Sequence, residues 1–241
     1  MPSAWRLLRT FGREPGFNMG LDEALLLVSG PLPVLRFYTW NPPALSLGFF
    51  QRFADVPETS RASVVVRRPT GGGAIHHANE LTFSIAVAAD HPLVRGEVRA
   101  SYRRIHDAIA AALADLGVRA RAKGECPLLS DRASSGMCFQ RSHPLDLAWN
   151  ERKGVGSAQR RTRERVLHHG SIKLGPSPLD DTVARLDRAD TGPAELADHL
   201  ELSFARQFGI DFVADEPSAA ELTHALERAA HFRSEAFVRG R

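Results

Sequence analysis

Cysteine is scarce in this chain: among 241 residues there are two, Cys126 and Cys138, twelve positions apart. No CxxC pair and no histidine spacing suited to zinc accompanies them, so a disulfide framework and a zinc centre both drop out, and no metal is expected. Long hydrophobic runs are missing as well. None approaches the roughly 20 apolar residues that cross a bilayer. The early run Ala24 to Val28 is short and follows Asp22-Glu23, unlike a secretory signal. The expected location is therefore the cytoplasm, where thiols stay reduced. Neither sign of charge dominates, with a formal net charge of +3 and a pI near 9.2. Basic residues gather at Arg99 to Arg104, Arg119 to Lys123 and Arg160 to Arg165. Without interleaved aromatics these clusters read as solvated surface or as docking for an acidic protein, not as a nucleic-acid groove. Neither a nucleic-acid nor a membrane partner is expected.

What is present suits one compact unit. A hydrophobic content of 43% can bury a sizeable core, and 19 glycines and 15 prolines are too few for a disordered chain. A single domain over residues 1–241 is the simplest reading, and a monomer is expected. Alternation predicts strands at Trp5 to Leu8, Val34 to Trp40, Ala44 to Leu47, Ser63 to Arg67 and Leu81 to Val87. Further strands are predicted at Asp146 to Trp149, Val155 to Ala158 and Ser171 to Leu174. Ile105, Ile109, Leu113 and Leu116 recur at helical spacing, so Val98 to Leu116 reads as an amphipathic helix ended by Gly117. After Pro178 the pattern turns helical and more charged through Arg233, with breaks at Gly192-Pro193 and Pro217.

The densest signal is Arg67-Arg68-Pro69-Thr70-Gly71-Gly72-Gly73-Ala74-Ile75-His76-His77. Three consecutive glycines after an apolar run let the backbone approach a ligand closely and adopt positive φ. The plainer alternative is a tight strand-to-strand turn with solvated charges. A phosphate loop is excluded, because no Gly-Lys-Ser/Thr follows and the next segment alternates as a strand.

A second segment, Arg152-Lys153-Gly154-Val155-Gly156-Ser157-Ala158-Gln159, is followed by His168-His169-Gly170-Ser171-Ile172. With the glycine loop, these motifs resemble the lipoate-protein ligase and octanoyltransferase family, which shares its fold with biotin protein ligases. The resemblance covers most of the chain. NMGLDEALL (Asn18 to Leu26) is similar to the family's first helix, and LRFYTWNPPALSLGFFQ (Leu35 to Gln51) to its first hairpin. It implies an α/β (α+β) fold: a mixed, largely antiparallel sheet flanked by helices. The catalytic core would span about 30–215, with a helical cap over about 178–241.

Within the family, ligase-type octanoyltransferases carry a Cys-Phe pair shortly before the lysine strand, and here Cys138-Phe139 stands fifteen positions ahead of Lys153. The resemblance thus implies octanoyl transfer from acyl carrier protein to a lysine of a lipoyl-domain protein, such as glycine cleavage H protein or a dehydrogenase E2 subunit. Cys138 would be the nucleophile, forming an S-acyl-enzyme. Its thiol would need its pKa moved from about 8.5 to about 7, roughly 2 kcal/mol of differential stabilisation. Lys153 would be the general acid/base, a role that requires a desolvated pocket to depress its pKa. Arg68, Gly71, Gly72, Gly73 and His77 would line the acyl site, with Gly72 and Gly73 as its chain-length gauge. Backbone N–H groups near Gly72 and Gly73, or near Ser157 and Ala158, would hold the oxyanion, and Gly156 beside them would contact substrate. His169 would support the lysine strand. Cys126 reads as a small hydrophobe.

Two positions depart from the family pattern. Ala78 follows His77 where aspartate is common, and Gly73 stands where ligase-type octanoyltransferases often carry arginine. Three alternatives follow: an ATP-dependent lipoate ligase using Lys153 without Cys138, an amidotransferase moving lipoyl or octanoyl groups between carrier proteins, and a non-catalytic acyl- or carrier-binding protein. No cofactor is expected for the transferase; ATP and Mg would belong to the ligase alone.

Overall fold

The computed structural model describes residues 3–186 and 191–240. Its centre is an eight-stranded sheet built from β1 (Ser3–Arg13), β2 (Val34–Trp40), β6 (Glu80–Ala88), β7 (Arg121–Ala122), β8 (Leu147–Trp149), β9 (Arg152–Arg161), β10 (Arg165–Lys173) and β11 (Ile210–Asp215). The spatial order is β11-β1-β2-β6-β10-β9-β8-β7. β1 runs parallel to both of its neighbours, and every other adjacent pair is antiparallel. A smaller sheet places β3 (Ala44–Leu47) between β4 (Val65–Arg67) and β5 (Ile75–His77). This is the mixed, largely antiparallel sheet flanked by helices that the sequence implies.

The strand β6 shows why the sheet divides the molecule. Leu81, Phe83, Ile85 and Val87 alternate onto one face and join the main core beneath α2 (Val98–Asp115) and α3 (Pro193–Phe208). Ile105, Ile109 and Leu113 supply the stripe from α2, and Leu196, Leu200 and Phe204 supply it from α3. The intervening Thr82 and Ser84 face the other side, where α1 (Pro15–Leu27) lies against α4 (Ala219–Arg233). α1 starts on Pro15 with the Glu14 carboxylate accepting from the Phe17 N–H, a capped N-terminus.

Three expectations are corrected. The glycine loop does not lead directly into the strand at Leu81: it joins β4 to Ile75–His77, which pairs with β3 before β6 begins. The region after Pro178 is not helical throughout. Residues 178–186 run without regular structure, and Val183, Ala184 and Leu186 are buried there. Farther on, Gly209 takes a left-handed conformation that stops α3, and the next residues form β11 beside β1. The tail therefore extends the central sheet as well as capping it. Among the described residues no helix is long and apolar enough to cross a membrane.

The polar face of the sheet holds a closed network of charge. Asp22 on α1 is fully buried and accepts from Arg36 (2.7 Å), Tyr38 (2.9 Å) and Ser84 (2.9 Å). Burial alone would raise its pKa, but the His169 contact and the Arg36 guanidinium outweigh that and hold it below the usual range. Removing it with Asp22→Ala leaves Arg36 charged and buried without a counter-ion. The expected cost is about 3 to 5 kcal/mol of folding stability, measured by urea unfolding. A loss under about 1 kcal/mol would mean that the pair carries little of the fold.

Asp180 behaves in the opposite way. It is buried with Oδ2 lacking a hydrogen-bond partner, and burial pushes its pKa up from 3.8 to about 6. The folded state thus binds a proton more tightly than the unfolded chain. Stability associated with the protonated group is present below about pH 4 and is lost as pH rises through about 6. Asp180→Asn should therefore gain about 2 to 3 kcal/mol relative to the parent between about pH 4 and pH 7. Unfolding free energies at the two pH values check this, and an equal difference at both would contradict the burial account.

Candidate active site

The glycine loop is held from below by its own arginine. Arg68 is buried, and its guanidinium donates to the carbonyls of Ser46 (3.0 Å), Gly71 (2.7 Å) and Gly73 (2.8 Å). Arg68 lines the cavity beneath the loop, but these bonds make it the clamp that shapes the loop. Gly72 sits at φ +95°, and a Cβ there would lie 2.9 Å from the Arg68 guanidinium. At Gly73 a Cβ would lie 2.8 Å from the Gly136 carbonyl and 2.9 Å from the Cys138 nitrogen. Loop and cysteine segment are also bonded to each other, Ala74 N–H to Gly136 O (2.8 Å) and Cys138 N–H to Ala74 O (2.7 Å). In this chain the third glycine is what lets the cysteine come so near.

Cys138 opens a single 3-10 turn over Cys138–Gln140, pinned by the buried ring of Phe139 against Ile75 and Val183. Its Sγ accepts from Lys153 Nζ at 3.3 Å. Lys153 reaches it from β9, where the side chain is 2% exposed, and also donates to the Cys138 carbonyl (3.0 Å) and to Asp146 Oδ2 (2.6 Å). Those three bonds use all three ammonium donors. The depressed pKa expected of Lys153 is not found. Burial works to lower it, yet the Cys138 sulfur and the Asp146 carboxylate outweigh burial and hold it above the ordinary lysine value. Lys153 is a fixed cation beside the sulfur, able to donate but not to accept a proton.

Two cavities meet at Cys138. The first is narrow, the more enclosed of the two and mainly apolar, and is lined by Gly71, Gly72, His77, Gly156 and His169 among others, with Met19, Tyr38 and Trp40. The second, about 400 Å³ and more open, is lined by Gly73, Arg99, Arg141, His143, Asp146 and Lys153 among others. Gly71, Gly72, Cys138, Ser157 and Ala158 belong to both. The shared residues mark the junction, so Met19, Tyr38 and Trp40 line the part of the first cavity away from the second. Strand β8 pairs with β9 no farther than Val155, so among the described residues the Gly156 to Ala158 edge has no strand on that side, and Gly156 lies near the sulfur. A Cβ on Gly156 would lie 2.7 Å from Lys153 Cε and 3.7 Å from Cys138 Sγ.

The structure thus brings together every residue named from the sequence, with changes of role. His77 lines the first cavity, stacked on Trp40 at 3.9 Å between ring centres. Its Nε2 meets Ser46 Oγ (2.7 Å), and its Nδ1 meets Glu80, the carboxylate that also binds Lys173 and Ser171. His169 pairs through its backbone with Ala158 of the lysine strand, while its ring turns elsewhere. Its Nδ1 binds Asp22 Oδ2 (2.9 Å) and its Nε2 meets Thr70 Oγ1 (2.6 Å), so it ties α1 to the glycine loop. Cys126 is exposed and lies outside both cavities. Sequence reasoning missed Asp146, Asp22, Glu80 and His106. Asp146 was visible only as the first residue of a predicted strand.

Comparison with known proteins agrees with this geometry. The lipoyl protein ligase A/B catalytic domain family matches residues 14–193. The octanoyltransferase LipM of Moorella thermoacetica is 40% identical over 182 residues, 72% of this chain and 67% of that protein. LipM of Carboxydothermus hydrogenoformans is 37% identical over 232 residues, 92% of this chain and 83% of its own length. The solved structure of Ta0514, a candidate lipoate protein ligase of T. acidophilum, superposes with a TM-score of 0.80 at 25% identity over the whole of both chains. With its glycine loop, lysine strand and sheet all in place, this chain belongs to the lipoyl protein ligase A/B catalytic domain family.

Proposed function

We propose that this protein is an octanoyltransferase of protein lipoylation, taking an octanoyl group from acyl carrier protein and passing it to a lysine of a lipoyl-domain protein by way of a Cys138 thioester. The observation that carries the reading is the 3.3 Å contact between Cys138 Sγ and Lys153 Nζ at the junction of the two cavities. The octanoyltransferase names of the relatives supply the acyl group. An enzyme that activates a free acid with ATP has no use for a thiol at that junction.

The chemistry follows from the arrangement. The ammonium of Lys153 stabilises the Cys138 thiolate, which attacks the carbonyl of the incoming thioester. The developing oxyanion lies beside the open β9 edge, where backbone N–H groups are available. The carbonyl arrives activated, so sulfur exchanges for sulfur and no nucleotide is consumed. The octanoyl chain enters the first cavity, where burying six or seven methylenes at about 0.8 kcal/mol each contributes on the order of 5 kcal/mol. Its length is gauged by Met19, Tyr38 and Trp40. Gly72 is unsuited to that task, because a side chain there strains the loop and strikes Arg68 before it reaches an acyl chain.

Incubation with octanoyl-acyl carrier protein should add one octanoyl mass that hydroxylamine removes, without ATP. Cys138→Ser should abolish the adduct, and Cys126→Ser should retain it; an adduct that needs ATP and free acid would establish the ligase reading instead. Lys153→Ala should lower the transfer rate at least a hundredfold, because the lost cation acts on the thiolate and the transition state.

Chain length provides a separate check. Met19→Trp should shift preference towards hexanoyl donors and reduce octanoyl transfer about tenfold, the scale of overpacking at 1 to 3 kcal/mol. Equal loss with hexanoyl, octanoyl and decanoyl carriers would remove Met19 from the pocket's end.

A further inference from the structure

The proposed route leaves one proton without a destination. A target lysine arrives as an ammonium and must lose two protons to become an amide, while Lys153 has all three donors engaged and is held charged. A buried imidazole that the mechanism has not used stands on the other side of the same residues. His106 on α2 is 2% exposed. Its Nδ1 lies 2.6 Å from the Leu145 carbonyl, which only accepts, so Nδ1 carries the hydrogen. In the neutral ring Nε2 is then the acceptor, and its partner at 2.6 Å is Ser157 Oγ. Leu145 and Asp146 are consecutive, so one segment anchors both His106 and Lys153. Ser157 lines both cavities, beside Cys138.

We propose that Ser157 and His106 accept the proton of the target amine in the second half-reaction, Ser157 as the catalytic contact and His106 as the positioning base behind it. This rests on the octanoyltransferase reading above. The ammonium gives one proton to Ser157 Oγ as the hydroxyl proton passes to His106 Nε2. The neutral amine attacks the Cys138 thioester carbonyl, the C–N bond forms and the C–S bond breaks. The second amine proton goes to the departing sulfur, restoring the thiol, and His106 returns its proton to solvent through the same hydroxyl. The charged and titratable groups around His106 are Tyr102 and Asp107 on its own helix, His168 on β10, Lys153 on β9 and Asp146. Burial leads these influences and lowers its pKa, which keeps the ring neutral and leaves Nε2 without a proton in the resting site.

The test separates the half-reactions on the full-length protein. Octanoyl-acyl carrier protein loads Cys138, and the acyl-enzyme is then challenged with an E2 lipoyl domain or with hydroxylamine, whose nitrogen is already neutral at neutral pH. With Ser157→Ala and, separately, His106→Gln, loading should proceed, aminolysis by the lipoyl domain should fall at least tenfold, and hydroxylamine cleavage should stay within about twofold of the parent. Ser157→Thr should restore aminolysis, and the rate of His106→Gln should rise with pH as the free amine becomes available. Aminolysis at the parent rate in Ser157→Ala, or equal slowing towards both nucleophiles, would overturn the relay while leaving the transferase reading intact. Failure of the parent to load at all would overturn the reading beneath it.

Discussion

The site depends on one buried ammonium. Lys153 is out of water on the inner edge of β9, and a lone charge there would be prohibitive. It is tolerated because Asp146, the Cys138 carbonyl and the Cys138 sulfur each take one of its hydrogens. Satisfying the charge and placing the nucleophile are therefore a single act. The contact to the backbone carbonyl fixes the start of the 3-10 turn, and the contact to the sulfur fixes the rotamer that faces the cavities. Gly156 completes the constraint, since any side chain there would push Lys153 away from both.

Two further buried ion pairs hold the walls around that centre. Asp22 gathers α1, β2, β6 and β10 through Arg36, Tyr38, Ser84 and His169, and His169 passes the restraint on to Thr70 in the glycine loop. Glu80 gathers β5 and β10 through His77, Ser171 and Lys173. Such pairs add little net stability compared with well-packed apolar residues. Their effect here is geometric: Tyr38, His77, Thr82, His169 and Ser171 of the first cavity's wall have hydrogen bonds directed to Asp22 or Glu80 within the protein. The lumen that remains is suited to hydrocarbon.

Much of this was legible in the sequence. The strands with clear alternation, such as Leu81 to Val87 within β6, and the apolar stripe of α2 carry their own periodicity, so local pattern and tertiary role agree. Strand β11 was not legible, because Ile210–Asp215 is short, half-exposed and follows a long helix, and only its pairing with β1 two hundred residues earlier makes it a strand. Cys138 and Lys153 could be found because the motifs around them are local. Asp146, Asp22 and His106 could not, since an aspartate or histidine in a strand or amphipathic helix has the same appearance whether it meets water or a buried partner far along the chain. The sign of the Lys153 pKa shift was missed for the same reason: the acid/base role called for a desolvated pocket, and the carboxylate that reverses the effect of burial was not visible in the sequence.

The meeting of two cavities at one sulfur bears on why a covalent intermediate suits this fold. The first cavity is the more enclosed and mainly apolar, and on the proposed route it holds the acyl chain throughout, whereas the second is more open and serves any group attached on the far side of the carbonyl. On the proposed route the donor's thiol arm and the acceptor's lysine both approach the same carbonyl from that open side, so they take turns there. Direct transfer would require a ternary complex for which the cleft offers a single approach. On the proposed route Cys138 resolves the conflict by holding the octanoyl group while the two proteins exchange places. The fixed cation of Lys153 keeps the sulfur a competent leaving group for the second step as well as a nucleophile for the first.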